Sequence, residues 1–305
     1  MKILILGSNG LVGSSLVRNL SNEFNVISST RKDTNLFSLI ETDSLIQRVK
    51  PNIIINAAAK VGGIYANNSE RTAFILENLK ININLLESLI KFPEIKLFNL
   101  GSSCIYPLGA PNPISEKSLM SGKLEPTNSP YAMAKLTAIE ISDALKKEYG
   151  HQITNIMPTN LYGPNDNFSE VNSHVIPGLI FRMHKAKVSK KPEFKVWGTG
   201  KPLREFMFVD DLSDSIKFMI KNNLTPEIIN IGSGEEISIY DLVVKISQIM
   251  KYDGKIVFDE TKPDGNPRKL LDSSLINSFG WQSKTELDYG LKLTIDWFEK
   301  NVEMY

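Results

Sequence analysis

The chain predicts a doubly wound α/β fold, a parallel sheet with helices on both faces, joined to a smaller α/β domain. Three observations carry this. An apolar run at the N-terminus ends in a turn of regularly spaced glycines. Apolar strand runs then alternate with helical patterns as far as Met157. After Gly163-Pro164 that rhythm breaks into a polar, Pro- and Gly-rich region.

The run Lys2-Ile-Leu-Ile-Leu-Gly7 is apolar throughout, as a parallel strand buried on both faces must be. Gly7-Ser-Asn-Gly10-Leu-Val-Gly13 follows at once and leads into an amphipathic helix through Leu16, Val17 and Leu20. Further elements are expected at Asn25–Ser28 (strand), Thr42–Val49 (helix), Ile53–Asn56 (strand), Phe74–Ile90 (helix), Lys96–Leu100 (strand), Pro130–Tyr149 (helix) and Ile153–Met157 (strand). A last strand is expected at Ile228–Ile231, with Asn230-Ile-Gly-Ser-Gly234 running from it into a helix start. The expected division is a dinucleotide-binding domain over residues 1–163, its sheet completed by about 204–231, and a substrate domain over 164–203 and 232–305.

Between a strand and a helix, the spacing Gly-x-x-Gly-x-x-Gly marks a dinucleotide turn of the Rossmann type. Gly7 permits the tight turn, Gly10 the approach of backbone to pyrophosphate, and Gly13 the close contact of helix and strand. An NAD enzyme of this layout places an Asp or Glu about 20 residues further on to bind the ribose 2′-hydroxyl. Here Ser28-Ser-Thr-Arg31-Lys32 offers two cations and no carboxylate, so a 2′-phosphate, and hence NADPH, is expected. Otherwise Arg31 and Lys32 are solvated loop charges. Asn56-Ala-Ala-Ala59 ends the next strand in small residues, against which an adenosine ribose can lie.

Composition excludes several classes. With 35 basic and 34 acidic residues among 305, there is no electrostatic footprint for nucleic acid or an acidic membrane. No run approaches the roughly 18 apolar residues of a membrane span, and the N-terminus enters a strand with no signal peptide. A single cysteine, Cys104, makes no internal disulfide. Together these point to the cytoplasm, and no metal site is expected.

Tyr131 and Lys135, four apart in a helix, stack a phenol and an ammonium on one face, where the cation can lower the phenol's pKa. Such a phenol can exchange a proton with a substrate alcohol or ketone. Ser102 follows the strand ending at Leu100, at the carboxyl edge where open α/β sheets bind ligands, and can bond the same substrate oxygen.

Ser102, Tyr131 and Lys135, with the glycine turn, resemble the extended short-chain dehydrogenase/reductases, which mostly act on nucleotide sugars. Longer strings narrow the resemblance. Ala57-Ala-Ala-Lys-Val-Gly-Gly63, Gly101-Ser-Ser-Cys-Ile-Tyr-Pro107, Met157 to Phe168, Ser173-His-Val-Ile-Pro177, Val196-Trp-Gly-Thr-Gly200 with Arg204-Glu-Phe, and Thr261 to Lys269 are similar to the GDP-L-fucose synthase family over almost the whole chain. Asn9 departs from it: some bacterial members carry an arginine there that helps hold the 2′-phosphate.

The resemblance implies C3 and C5 epimerisation of GDP-4-keto-6-deoxy-D-mannose, then NADPH-dependent reduction at C4, in a homodimer built on the helices near Phe74–Ile90 and Pro130–Tyr149. It implies Cys104 and His174 as the epimerisation acid-base pair. Lys135 would hold the nicotinamide ribose and tune Tyr131. The cofactor would also meet Gly7, Asn9, Gly10, Leu11, Val12, Gly13 and Arg31 at the turn, and Ala57, Ala58, Leu100, Gly101, Ser102 and Ser103 at the next strand ends. Pro158, Thr159, Asn160, Leu161 and His174 would complete its contacts. Arg182, Trp197, Arg204 and Asp264 would contact the GDP-sugar. Alternatives on the same fold are a nucleotide-sugar 4-epimerase, a 4-keto reductase or a 4,6-dehydratase. A dehydratase would carry an acidic pair after the serine position, where this chain has Ser103-Cys104. A non-catalytic cofactor sensor would tend to lose the tyrosine and lysine, which are intact.

Overall fold

The computed structural model describes residues 1–262 and 264–305; Pro263, inside the Thr261–Lys269 string, lies outside them. In chain order the elements begin β1 (Lys2–Leu6), α1 (Leu11–Leu20), β2 (Asn25–Ser29), α2 (Leu39–Val49), β3 (Ile53–Asn56), α3 (Ile64–Ser69), α4 (Arg71–Leu89) and β4 (Lys96–Leu100). They continue with α5 (Ser129–Tyr149), β5 (Ile153–Pro158), β6 (Asn160–Tyr162), α6 (Val175–Val188), β7 (Glu193–Trp197), β8 (Leu203–Phe208) and α7 (Val209–Lys221). The chain closes with β9 (Ile228–Ile231), β10 (Glu236–Ser238), α8 (Ile239–Met250), β11 (Lys255–Asp259), β12 (Arg268–Lys269), α9 (Ser274–Ser278) and α10 (Leu287–Lys300).

Six parallel strands form the main sheet in the order β2-β1-β3-β4-β5-β9. Because strand side chains alternate faces, Ile3, Ile5, Ile53, Ile55, Phe98 and Ile229 pack on one side with Leu16 and Leu20 of α1 and Leu212, Ile216 and Met219 of α7. Leu4, Leu6, Ile54, Leu97 and Ile153 pack on the other with Leu45 of α2, Leu85 and Leu89 of α4 and Leu145 of α5. Each such side chain, fully buried, stabilises the fold by about 1.5–3 kcal/mol. A separate core gathers Phe168, Leu179, Met183, Phe194, Phe206, Leu242, Ile246, Ile295 and Phe298 beneath α6, α8 and α10. There β8 pairs with β10, β12 and β6, while β7 and β11 form a two-stranded parallel ribbon.

Local chemistry explains the element ends. Helix α2 begins three residues before the expected Thr42 because the Ser38 hydroxyl accepts from the Glu41 N–H and caps it. Helix α5 tolerates Pro130 because it lies in the first turn, and it stops at Gly150, which takes φ +74°. One expectation is corrected. No helix starts at Asn230–Gly234: Gly234 turns the chain at φ +78° into β10, antiparallel to β8, and α8 begins only after Ser238 caps it.

Candidate active site

The glycine turn is built as its spacing requires. Gly7 holds φ +74°, its N–H donates to the Ser29 carbonyl at 2.9 Å, and a Cβ there would lie 2.8 Å from the Ala58 backbone. A Cβ at Gly13 would lie 2.1 Å from the Gly7 carbonyl oxygen, so only glycine lets α1 pack this close. Gly10 differs: its Cβ would meet no protein atom nearer than 3.6 Å. The space it leaves lies at the N-terminus of α1, which has no side-chain cap. Open N–H groups facing a cradle that a side chain would fill fit a dinucleotide's pyrophosphate.

Arg31 follows β2, with its guanidinium 4.7 Å from the Phe37 ring centroid and 3.5 Å from the Glu77 carboxylate. The nearby Asp33 is not free to take a ribose hydroxyl in its present position: its carboxylate accepts from the Thr30 N–H and hydroxyl at 2.8 and 2.7 Å. Asn56, Asn99 and Asn155 occupy one rung across β3, β4 and β5, linked amide to amide at 2.9 and 3.2 Å. Below them on α4, Asn78 bonds the Lys60 N–H and carbonyl at 3.1 and 3.0 Å. This buried amide network fixes the Ala57–Lys60 segment beside the glycine turn.

At the carboxyl end of β4, Ser102 opens a short 3₁₀ turn and accepts from the Cys104 N–H at 3.2 Å. Its hydroxyl also neighbours the Tyr131 phenol and favours the ionised form of that phenol. The Lys135 ammonium is buried, donates to the Leu100 carbonyl at 2.6 Å and sits 5.8 Å from the Tyr131 ring centroid. Burial lowers Lys135 to about 8. It also raises the Tyr131 phenol above its usual range, helped by neighbouring Cys104 and opposed by the Ser102 hydroxyl. The expected lowering by lysine therefore does not dominate here: desolvation wins, and the phenol keeps its proton at neutral pH. That is the state a proton donor needs.

Cys104 is half-buried against Ala66, Phe74 and Tyr131. The Lys269 ammonium donates to its sulfur at 3.7 Å. Lys269 was not among the residues singled out from sequence. It arrives on β12, where it lies in register with Arg204 of β8. Glu205, also missed, is fully buried and accepts from the Gly234 and Leu271 N–H groups at 2.8 and 3.1 Å, anchoring the strand that carries Lys269. Burial raises its carboxyl despite these bonds. His174 occupies the N-cap position of α6 without a side-chain cap and is exposed, while surrounding protein lowers its imidazole below the usual range by desolvation.

The remaining sequence-derived residues fall into two groups. Arg182 lies 5.6 Å from the Phe194 ring centroid, and Arg204 bonds the Leu203 carbonyl at 2.7 Å; burial lowers both from the usual arginine value. Trp197 is 61% exposed, so it is not a core side chain and its indole is free to meet a ring. Asp264, though exposed, is engaged within the protein. Its carboxylate accepts from the Thr199 N–H and hydroxyl at 2.9 and 2.7 Å, which shapes the Trp197–Gly200 loop and holds the carboxyl below its usual range. Among the described residues no cluster of His, Cys, Asp and Glu side chains could hold a metal ion, and no helix is long and apolar enough to cross a membrane.

A dinucleotide cradle beside a serine–tyrosine–lysine site on a parallel sheet defines a nucleotide-dependent oxidoreductase or epimerase, and comparison places it. The chain belongs to the NAD dependent epimerase/dehydratase family, whose profile matches residues 3–232. It is 46% identical to GDP-L-fucose synthase 1 of Arabidopsis thaliana, covering 99% of this chain and 94% of that protein. It is 43% identical to the GDP-L-fucose synthase of Sinorhizobium fredii, covering 99% and 96%. The structure of a GDP-L-fucose synthetase from Naegleria fowleri bound to NADP superimposes with a TM-score of 0.89 at 27% identity, covering 99% and 95% of the chains.

Proposed function

We propose that the protein converts GDP-4-keto-6-deoxy-D-mannose to GDP-L-fucose, inverting C3 and C5 and then reducing C4 with NADPH. The observation that carries this reading is one cluster, in which Ser102, Tyr131 and the buried Lys135 stand beside a lysine-paired Cys104 at the carboxyl end of β4. A 4-epimerase or simple 4-keto reductase has no use for that thiol. The full-length relatives at 43–46% identity support the same substrate.

Protons at C3 and C5 leave only if the negative charge gathering on the C4 oxygen is stabilised, and Ser102 and Tyr131 are the donors for it. Cys104 takes the proton, its sulfur held in place by the Lys269 ammonium. His174 returns one on the other face; desolvation makes its imidazolium a stronger acid than a solvated one. Bound NADPH supplies the hydride received by C4. Tyr131 gives its phenolic proton to the C4 oxygen, and Lys135 faces the phenolate left behind and holds the nicotinamide ribose. Arg182 and Arg204 suit the diphosphate, and Trp197 a ring.

The glycine cradle, Arg31, Ala57, Ala58 and the segment from Pro158 to Leu161 form the cofactor half, residues 1–163 with 204–231. The remaining segments form the substrate half. Exposed Leu76 and Ile83 on α4 and Met133 on α5 form an apolar face suited to a second copy, so we read the enzyme as a two-fold dimer. A cytoplasmic location fits this reading. The test is incubation with the keto sugar and NADPH. The nicotinamide absorbance should fall and NMR should identify GDP-L-fucose; unchanged absorbance contradicts the proposal.

A further inference from the structure

Gly63 sits where two parts of the site meet. Its N–H donates to the Asn172 carbonyl at 3.1 Å, and a Cβ on it would lie 2.3 Å from the Ser173 carbonyl oxygen. Its backbone angles, φ −67° and ψ −179°, suit any residue, so the glycine is required by that close approach and not by its conformation. The turn is pinned from below, where the Asn67 amide donates to the Gly62 and Gly63 carbonyls at 2.7 and 3.1 Å. The facing loop is tied within itself, since the Ser173 hydroxyl donates to the Ser169 carbonyl at 2.6 Å and the Asn172 N–H to the Ser169 hydroxyl at 3.2 Å. Two self-braced segments therefore dock backbone to backbone at one point, and the residue after Ser173 is His174.

We propose that Gly63 is a positioning residue for epimerisation: by docking the Asn172–Ser173 backbone it sets where the His174 imidazole meets the sugar. This rests on the reading of His174 as the proton donor. Gly62 meets the same loop only at ordinary contact distance, a Cβ there lying 3.4 Å from the Asn172 carbonyl oxygen. A Cβ there would meet Ala66 Cβ at 3.0 Å and the Phe74 ring at 3.2 Å, and that ring packs edge-on to Tyr131 at 6.3 Å. Gly63→Ala presses on the histidine loop, while Gly62→Ala presses mainly on the support of the tyrosine.

The test uses a readout that needs no substrate. The chain has three histidines, so the His174 imidazole line is identified in the proton NMR spectrum by its loss in His174→Gln. In Gly63→Ala the His174 line and its titration should move while the buried His151 line stays, which also reports an intact fold. In Gly62→Ala the His174 line should stay. NADPH affinity should fall less than exchange does in Gly63→Ala. Solvent deuterium entering C3 and C5 of the keto sugar should slow by about tenfold to a hundredfold, as for a catalytic group displaced by roughly an ångström. An unmoved His174 line overturns the inference, as does equal loss of exchange and cofactor binding. A wild-type protein that exchanges no deuterium contradicts the proposed function instead, and the NMR line still decides the docking.

Discussion

The Lys269 ammonium lies 3.7 Å from the Cys104 sulfur, joining groups 165 residues apart in the sequence. A donor there holds the sulfur in one position beside Ala66, Phe74 and Tyr131. Lys269→Met should therefore free the sulfur from that position and slow deuterium entry at C3 and C5 of the keto sugar. The thermal midpoint should be little changed, because the pair is only partly buried. Deuterium entry at the wild-type rate would show that Lys269 does not position the thiol.

Tyr131→Phe removes the proton donor to the C4 oxygen and keeps the ring that packs on Phe74. Reduction, followed by nicotinamide absorbance, should fall on the order of 10²-fold or more. Near wild-type turnover removes Tyr131 from the mechanism.

Most of the sheet was legible because its strands are short apolar runs bounded by polar or glycine signals. Ile53–Asn56, Lys96–Leu100 and Ile228–Ile231 fall where the pattern puts them. Ser102, Tyr131 and Lys135 were legible for a related reason: their positions follow from a strand end and a helix period. What escaped depends on contacts that no local pattern records. Lys269 and Glu205 reach the site only because β8 and β12 pair, and Gly63 matters only because a distant loop docks on it. The charge state of Tyr131 escaped too, since spacing reveals a neighbouring lysine but not the desolvation that outweighs it.

We read Arg31 as the cation that meets a 2′-phosphate, and Asn9 adds no charge. Arg31→Ala should weaken NADPH far more than NADH, measured by quenching of protein fluorescence, because only NADPH carries that phosphate. Equal losses for both would mean that Arg31 does not read it.

Stability should fall in mild acid in a way that depends on His151. That imidazole is 2% exposed, neither ring nitrogen has a hydrogen-bond partner, and burial lowers its pKa below 6.5 despite nearby Glu94. The fold thus holds it neutral while the unfolded chain takes up a proton as pH drops through about 6.5. Its contribution is complete above that pH and is lost below it. His151→Phe should flatten the decline in thermal midpoint between pH 7.5 and pH 5.5; an unchanged slope assigns the acid sensitivity to other groups.

The central claim is that one site performs two inversions and a reduction. The direct measurement is the NMR spectrum of the product formed from protiated GDP-4-keto-6-deoxy-D-mannose and NADPH in deuterated water. The account expects GDP-L-fucose with deuterium at C3 and C5 and protium at C4, because solvent-exchanging side chains handle the first two positions and hydride fills the third. A 4-reduced sugar that keeps the D-manno configuration and protium at C3 and C5 would contradict it.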